Sequence, residues 1–498
     1  MSLATLLQAH LWTTMGPLFV VGMTAIVVMV LELFLPAASR KFIVLLAALG
    51  VVVAGVVLVH TMSVPPELSL DTMVSDGLAT VSSMLLLTTG LLVLLLHLDV
   101  NESEEMPRES SFLLLFALVG ALAMVTAVNL VALYIGLELL SVSSYVLVAL
   151  RKRHRQASVE GSMKYLVMGG IGSAVFLYGV SFIYGLTGQT SLYALAQASL
   201  SLWQHDAAIA VIAFLLIVVG LGIKLSLVPF HMWTPDAYEG APSSVAALIS
   251  TLSKTATFAL ALRVLVYIFN GGAHDLFPYI AVLAAITMLA GNWLALTQHN
   301  LRRLLAFSSV AQAGYLLIPI ALFGTASVRE WPDLYDNLLF YLAVYTFLTI
   351  GAFAVLHLLE HHRDVTMADG LTGFAKKSPW LAASFIVFLL GLAGMPLTGG
   401  FVGKFYIFTS TVQTGVLWLG IVLFATSVLS FFYYFGLIRT MFQSPLPTYG
   451  DAAQGQAEGR TPVPVATGIV IALCLFGTVA LGVVPGILLH PLALVQWF

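Results

Sequence analysis

Charge is the scarcest property of this sequence. Asp, Glu, Lys and Arg together make up 9% of its 498 residues, against about a quarter in a soluble protein. A water-facing surface cannot be built from so few charges. Cysteine is nearly absent too. Cys474, the single copy, lies in an apolar run, which excludes an intrachain disulfide, a cysteine-ligated iron–sulfur cluster and a zinc ribbon. No Lys or Arg precedes Arg40, so the positive n-region of a cleavable signal peptide is missing and the first apolar run is expected to stay as an anchor. The alternating pattern of a membrane barrel is absent, as are a P-loop and a nucleophile–base constellation. Gly169, Gly170 and Gly172 lack the spacing and strand context of a dinucleotide site and read instead as close helix packing. His361 and His362 beside Arg363 and Asp364 read as a solvated helix end. Phe431, Phe432, Tyr433 and Tyr434 read as lipid or helix contacts.

What is present is apolar length. Sixty per cent of the chain is hydrophobic, in recurring runs of roughly 20 residues, each able to cross a bilayer as a helix. Lipid leaves no partner for an unpaired backbone group, so these runs are expected to be helical. The fold class is therefore an all-α polytopic membrane protein. Fourteen spans are expected, at roughly 16–36, 41–62, 78–98, 111–128, 130–150, 158–186, 207–238, 243–270, 277–298, 301–324, 335–360, 379–411, 414–440 and 463–488. The polar stretch from Ser444 to Thr461, rich in Gly, Ala, Gln and Pro, reads as a loop. One set of alternating loops carries Arg40, Lys41, Arg108, Arg151, Lys152, Arg153, Arg155, Arg302, Arg303, Arg363, Lys376, Lys377, Arg439 and Arg460; the other carries Arg329 alone. Basic residues mark the cytoplasmic side, so both termini are expected outside the cytoplasm.

The remaining cations, Lys164, Lys224, Lys254, Arg263 and Lys404, fall inside spans. Glu138 is the acid placed deep in a span, and Glu32 lies nearer a helix end. An ionised group at the bilayer centre costs about 2.5–3.5 kcal/mol on insertion scales and usually marks function. At 1.5 Å per residue, Glu138 and Lys254 lie roughly 12 and 16 Å into their helices, near the midplane. Lys164 lies closer to the cytoplasmic end, and Arg263, nearer the far end, is expected to snorkel to the headgroups. Burial favours a neutral lysine and a nearby carboxylate favours a charged one; a lysine poised between them can load and release a proton. Arginine cannot, because it stays protonated.

Two spans are broken by proline. In KLSLVPFHMWTPDAYEGAP, Pro229 follows Lys224; in LAGMPLTGGFVGKFYIF, Pro396, Gly399 and Gly400 precede Lys404. Broken membrane helices expose backbone dipoles and make room for water near midplane sites. The breaks fall in the seventh and twelfth spans, five apart. A five-helix repeat is odd, so its two copies would be inverted. The expected organisation is three N-terminal helices over 1–110, a first repeat of helices 4–8 over 111–270, an inverted second repeat of helices 9–13 over 271–443, and a cytoplasmic loop with helix 14 over 444–498.

The segments GLELLSVSSYVLVAL from Gly136, KLSLVPFHMWTPDAYEGAP from Lys224, NLRRLLAFSSVAQAGYLL from Asn300 and LAGMPLTGGFVGKFYIF from Leu392 resemble the proton-translocating antiporter-like subunits of respiratory complex I and the related Mrp antiporter subunits. The resemblance spans roughly 112 to 439. It implies Glu138 as a fifth-helix acid paired with Lys224 on the broken seventh helix, Lys254 as a central relay, Lys404 on the broken twelfth, and Lys164 as an accessory toward the cytoplasm. It implies a bacterial inner-membrane protein assembled with other membrane-arm and antiporter-like subunits. No cofactor is expected in this chain; NADH, flavin, iron–sulfur clusters and quinone would belong to partner subunits. The rivals are a stand-alone or Mrp-type cation/proton antiporter and a non-pumping structural subunit. Where the family commonly carries histidine, this chain has Gln312. An amide takes up no proton at neutral pH, so a relay there needs water or hydroxyls such as Ser308, Ser309 or Tyr315.

Overall fold

With so few charges to interrupt them, the apolar runs close their backbone hydrogen bonds within themselves and form helices. The computed structural model describes residues 9–36, 39–62, 68–69, 71–99, 107, 109–151, 155–363, 365–444 and 461–493. In chain order the helices are α1 (Ala9–Phe34), α2 (Arg40–Thr61), α3 (Gly77–His97), α4 (Ser110–Thr126), α5 (Leu130–Ala149), α6 (Arg155–Thr187) and α7 (Leu192–Leu225). They continue as α8 (Thr234–Gly240), α9 (Ser243–Leu248), α10 (Lys254–Phe269), α11 (Ala273–Leu296), α12 (Leu301–Leu322) and α13 (Trp331–Arg363). The last are α14 (Phe374–Lys377), α15 (Pro379–Ala393), α16 (Gly399–Gln413), α17 (Leu417–Phe442), α18 (Val465–Val483) and α19 (Gly486–Ala493). A two-stranded antiparallel ribbon, Leu68–Ser69 with Met73–Val74, precedes α3. Among the described residues, 11 helices are long and apolar enough to cross a membrane, with Ser243–Leu296 taken as one; α4 and α15 are apolar but shorter. The expected loop between Ser444 and Thr461 lies almost wholly outside the described residues.

The helices sort by their surroundings. In α1 and α2 most of the apolar surface is exposed, the pattern of lipid-facing helices; α12 is buried on every side and α13 nearly so. A helix that is apolar all round belongs in the interior. These two central helices carry Ser309, Gln312, Tyr341 and Tyr345.

Both expected breaks are present, and they end alike. α7 stops at Leu225, where Ser226 adopts the left-handed conformation (φ 61°) and Leu227 N–H returns to the Gly222 carbonyl. α15 stops at Ala393, where Gly394 does the same (φ 93°) and Met395 N–H returns to Leu390. A left-handed residue followed by a long return bond is how helices close their last carbonyls. The prolines sit in the gaps, and the Val228–Pro229 peptide is cis. α8 restarts with Pro235 in its first turn, where the missing N–H has no helical partner to lose.

Two boundaries differ from expectation. α7 begins at Leu192 rather than near residue 207, kinking at Asp206. Its first part, LYALAQASLSLWQ, is helical and continuous with the span. The eighth span is also not uniform: a π-helical turn, Ile249–Ser253, separates α9 from α10 and ends immediately before Lys254. Such turns widen the backbone locally and recur at functional sites.

Candidate functional site

α5 presents Glu138, Ser141 and Tyr145 at helical spacings of three and four, hence on one face. Lys224, 8% exposed at the end of α7, donates to Ser141 Oγ at 2.8 Å and Tyr145 OH at 3.1 Å. The direct Glu138–Lys224 ion pair is not what the ammonium makes here; its contacts are neutral hydroxyls. Glu138 Oε1 is buried without a hydrogen-bond partner. Tyr145 reaches Lys224 because Gly169 leaves space: a Cβ at Gly169 would sit 1.9 Å from the Tyr145 hydroxyl. The glycine cluster of α6 thus serves packing at Gly169 and at Gly172, which abuts Ile223, while Gly170 meets nothing. Tyr165 stands edge-on to Tyr145 at 4.6 Å and stacks on Trp233 at 4.3 Å. Trp233 Nε1 in turn donates to the Ile223 carbonyl at 3.0 Å, so the lysine-bearing helix end is held from the far side of the break.

Lys254 is 2% exposed. Its ammonium donates to Ser309 Oγ at 2.6 Å and to the Ser309 carbonyl. Ser309 Oγ also bonds the hydroxyls of Tyr345 at 2.7 Å and Tyr238 at 3.1 Å. Lys404 is 5% exposed and donates to the carbonyls of Leu392 and Ala393 at 3.0 and 3.1 Å. These are among the last carbonyls of α15, left without helical partners and carrying the negative end of its dipole. The ammonium also lies 4.5 Å from the Tyr315 ring centre.

Gln312 stands at this end of the line. Its Nε2 donates to the same Leu392 carbonyl at 3.0 Å, and its Oε1 accepts from Tyr341 OH. Tyr315, Asn292 and Tyr433 form a further chain, Asn292 bonding both phenols at 3.1 Å, and Tyr434 bonds Ser308. Tyr433 and Tyr434 therefore join neighbouring helices through polar contacts, whereas Phe432 is exposed.

The other intramembrane charges are arranged differently. Lys164 is half-exposed and ion-paired with Glu160 at 2.5 Å and Asp236 at 2.7 Å. Asp236 also binds Arg303 at 2.6 Å, and Arg303 binds Glu239 at 2.8 Å. Arg263 does not snorkel. It is 1% exposed and grips Asp76 through both terminal nitrogens at 2.6 and 2.7 Å, with Val125 O as a further acceptor. Asp76 meanwhile caps α3 by accepting from Ala79 N–H at 2.8 Å. A partner 187 residues away made burial cheaper than reaching for the headgroups. Another acid is more deeply buried than Glu138: Glu360, in α13, binds Arg302 through both oxygens and accepts from Ser243 at 2.8 Å, with Arg151 at 3.8 Å. Removing one partner of a buried pair leaves the other charge uncompensated. Asp76→Asn is therefore expected to lower stability by about 3–5 kcal/mol, read as a fall in thermal unfolding midpoint in detergent.

Among the described residues no group of three His, Cys, Asp or Glu is placed to hold a metal ion. The charges thus fall into two kinds. Arg263 and Arg302 are neutralised by carboxylates. Among the described residues, Lys224, Lys254 and Lys404 donate to hydroxyls and carbonyls.

The family described as "NADH:quinone oxidoreductase/Mrp antiporter, TM" matches residues 127–430. A relative from Geobacillus sp. (strain WCH70), NADH-quinone oxidoreductase subunit N, is 39% identical over 98% of this chain and 99% of its own length. The protein of that name from Anoxybacillus flavithermus is 38% identical over 99% of this chain and 98% of its own. A chain of respiratory complex I from Thermus thermophilus, solved with bound aureothin, superposes with a TM-score of 0.79 at 29% identity, covering 96% of this chain and 99% of that one. A chain of the Mrp complex from Dietzia sp. DQ12-45-1b shares the fold at TM-score 0.82 and 23% identity, covering 96% of each. The chain belongs to the NADH:quinone oxidoreductase/Mrp antiporter membrane-subunit family.

Proposed function

We propose that this chain is a proton-translocating membrane-arm subunit of an NADH-quinone oxidoreductase, passing protons among Glu138, Lys224, Lys254 and Lys404 while redox chemistry proceeds in partner subunits. The observation that carries the reading is the partition of buried charge: Arg263 and Arg302 paired with carboxylates, and three lysines at 8, 2 and 5% exposure whose hydrogen-bond acceptors among the described residues are hydroxyls and carbonyls. The names of the relatives, at 39 and 38% identity over nearly the full chain, support the assembly.

In this reading the chain lies in a bacterial inner membrane with fourteen crossings and both termini outside the cytoplasm. Helices α4–α10 form the first repeat, residues 111–270, and α11–α17 the inverted second, 271–443, after three N-terminal helices in 1–110 and before a loop and last crossing in 444–498. The matching left-handed ends at Ser226 and Gly394 support that pairing. Other membrane-arm subunits are its partners, and NADH, flavin, iron–sulfur clusters and quinone belong to them. Movement in a neighbouring subunit shifts the Glu138 carboxylate relative to Lys224 and so alters that lysine's proton affinity. Lys164, tied to Glu160 and Asp236, assists at the cytoplasmic side.

The test is proton uptake per NADH oxidised by the assembled complex in sealed vesicles. Glu138→Gln and Lys224→Ala are expected to slow proton transfer by about 10²-fold or more, the size of losing a positioned acid or base. Normal pumping by both variants in an intact complex would leave a structural anchor. Sodium/proton exchange by the isolated chain would instead favour an autonomous antiporter.

A further inference from the structure

One buried carboxylate gathers several segments at the place where α5 and α8 end and α12 begins. Glu360 lies in the last turn of α13. Both of its oxygens bind Arg302, the second residue of α12. Ser243, the first residue of α9, donates to it at 2.8 Å. Arg151, just past the end of α5, stands 3.8 Å away. The two arginines also share acceptors. Arg151 Nη1 donates to the Glu239 and Ala241 carbonyls at 3.1 and 3.5 Å. Arg302 Nη1 donates to the same two carbonyls, at 2.9 Å for Glu239. Those carbonyls close α8, the half-helix that follows the first break. Glu360, Arg302, Ser243 and Arg151 are each 4% exposed or less.

Followed along their helices, these segments meet again at Lys254. From Ser243 the chain runs through α9 and the π-turn directly to Lys254. Arg302 begins the helix that carries Ser309, and Glu360 ends the helix that carries Tyr345. Ser309 Oγ receives Lys254 at 2.6 Å and bonds the Tyr345 hydroxyl at 2.7 Å. Three helical segments are therefore pinned together twice, at Glu360 and at Ser309. Hydrogen bonds fix the rise of a helix, so a displacement at one pin is delivered to the other. Arg151 adds a fourth arm, α5, which carries Glu138, Ser141 and Tyr145.

We propose that Glu360 is a positioning residue for the Lys254 site, and that through Arg151 it passes displacement of α5 to the Lys254–Ser309 contact. This rests on the proton-translocating reading above. In the observed state Glu360 holds Arg302 directly and Arg151 at a distance. A charge-assisted hydrogen bond forms at about 2.8 Å, so a shift of α5 by about 1 Å brings Arg151 into direct contact. The carboxylate is then divided between two arginines and loosens its hold on Arg302 and Ser243. Either release changes the placement of Lys254 against Ser309. Only hydrogen bonds are exchanged. No proton passes through the cluster, because arginine keeps its own. The link is mechanical, and it runs from the helix of Glu138 to the helix of Lys254.

Arg151→Gln cuts the α5 arm and Ser243→Ala cuts the α9 arm, while both leave the Arg302–Glu360 pair in place. NADH-driven proton uptake by the assembled complex is expected to fall about tenfold in each, the effect of losing one contact to a charged group. The double variant separates a link from mere packing. Residues that act through one shared partner are not additive, so the double variant should pump within about twofold of the weaker single one. Independent losses would multiply to about 100-fold and overturn the link. So would normal uptake by either single variant beside impaired uptake by Lys224→Ala. Normal uptake by Lys224→Ala would overturn the underlying reading as well. The unsubstituted complex supplies a check that needs no variant to fold. Maps of it at rest and during NADH turnover should show the Arg151–Glu360 and Lys254–Ser309 distances changing together. An Arg151–Glu360 distance that stays fixed overturns the link.

Discussion

Lys254→Met is expected to abolish proton translocation while leaving the protein at least as stable as before. The two effects have separate causes. An ionised lysine near the bilayer centre costs about 2.5–3.5 kcal/mol on insertion scales, and methionine of similar length removes that cost. Little is stranded by the exchange. Ser309 Oγ loses Lys254 but keeps the hydroxyls of Tyr345 and Tyr238. The thermal midpoint should therefore hold or rise, as it often does when buried charge is replaced by apolar bulk. Proton transfer, by contrast, loses its central carrier and should slow by about 10²-fold or more. Lys254→Arg separates charge from proton exchange. It keeps a cation at the site but cannot release a proton, so it too should fail to pump. Restored pumping with arginine would assign Lys254 a purely electrostatic role.

The partition of charge that motivates this experiment was half legible in the sequence. Lys224, Lys254 and Lys404 stand out because a lone lysine in an apolar run has no innocent explanation. The two breaks were legible for a local reason: Pro229 and Pro396 remove donors from the chain that carries them. Arg263 was misread because its neutralisation is not local. Its partner Asp76 caps another helix, 187 positions away. Glu360 was hidden similarly, since Arg302, Arg151 and Ser243 converge on it from three other segments. The π-turn Ile249–Ser253 before Lys254 carries neither proline nor glycine to mark it in the sequence. The serines and tyrosines around the lysines were visible as letters, but only packing shows that Ser309 faces Lys254 while Ser308 faces Tyr434. Adjacent positions on a helix point about 100° apart, so a serine pair in sequence is not a pair in space.

Gly400→Ala should damage the molecule more than any other single methyl near the second break. Gly400 lies in the first turn of α16 and Gly391 in the last turn of α15, and the two halves of the broken helix meet there. A Cβ at Gly400 would lie 1.8 Å from the Gly391 carbonyl oxygen. Even a favourable carbon–oxygen contact needs about 3.3 Å, so the halves must part by about 1.5 Å. A backbone carbonyl inside a helix cannot swing aside as a side chain would. Lys404, carried on α16, holds the end of α15 through Leu392 and Ala393 at 3.0 and 3.1 Å. A separation of that size carries both contacts beyond hydrogen-bonding range. Overpacking should cost about 1–3 kcal/mol, and proton uptake should fall at least about tenfold as the Lys404 site opens. Gly436→Ala is the control. A Cβ there meets nothing within 4 Å, and alanine in place of a mid-helix glycine should stabilise by about 0.5–1 kcal/mol. Thermal midpoints and NADH-driven uptake of the two variants, measured side by side in the assembled complex, decide the matter. If Gly400→Ala matched Gly436→Ala in both, Lys404 would not depend on the abutment of the two half-helices. The observed geometry argues for dependence, because the lysine's only hydrogen-bond acceptors among the described residues are carbonyls that this abutment brings within reach.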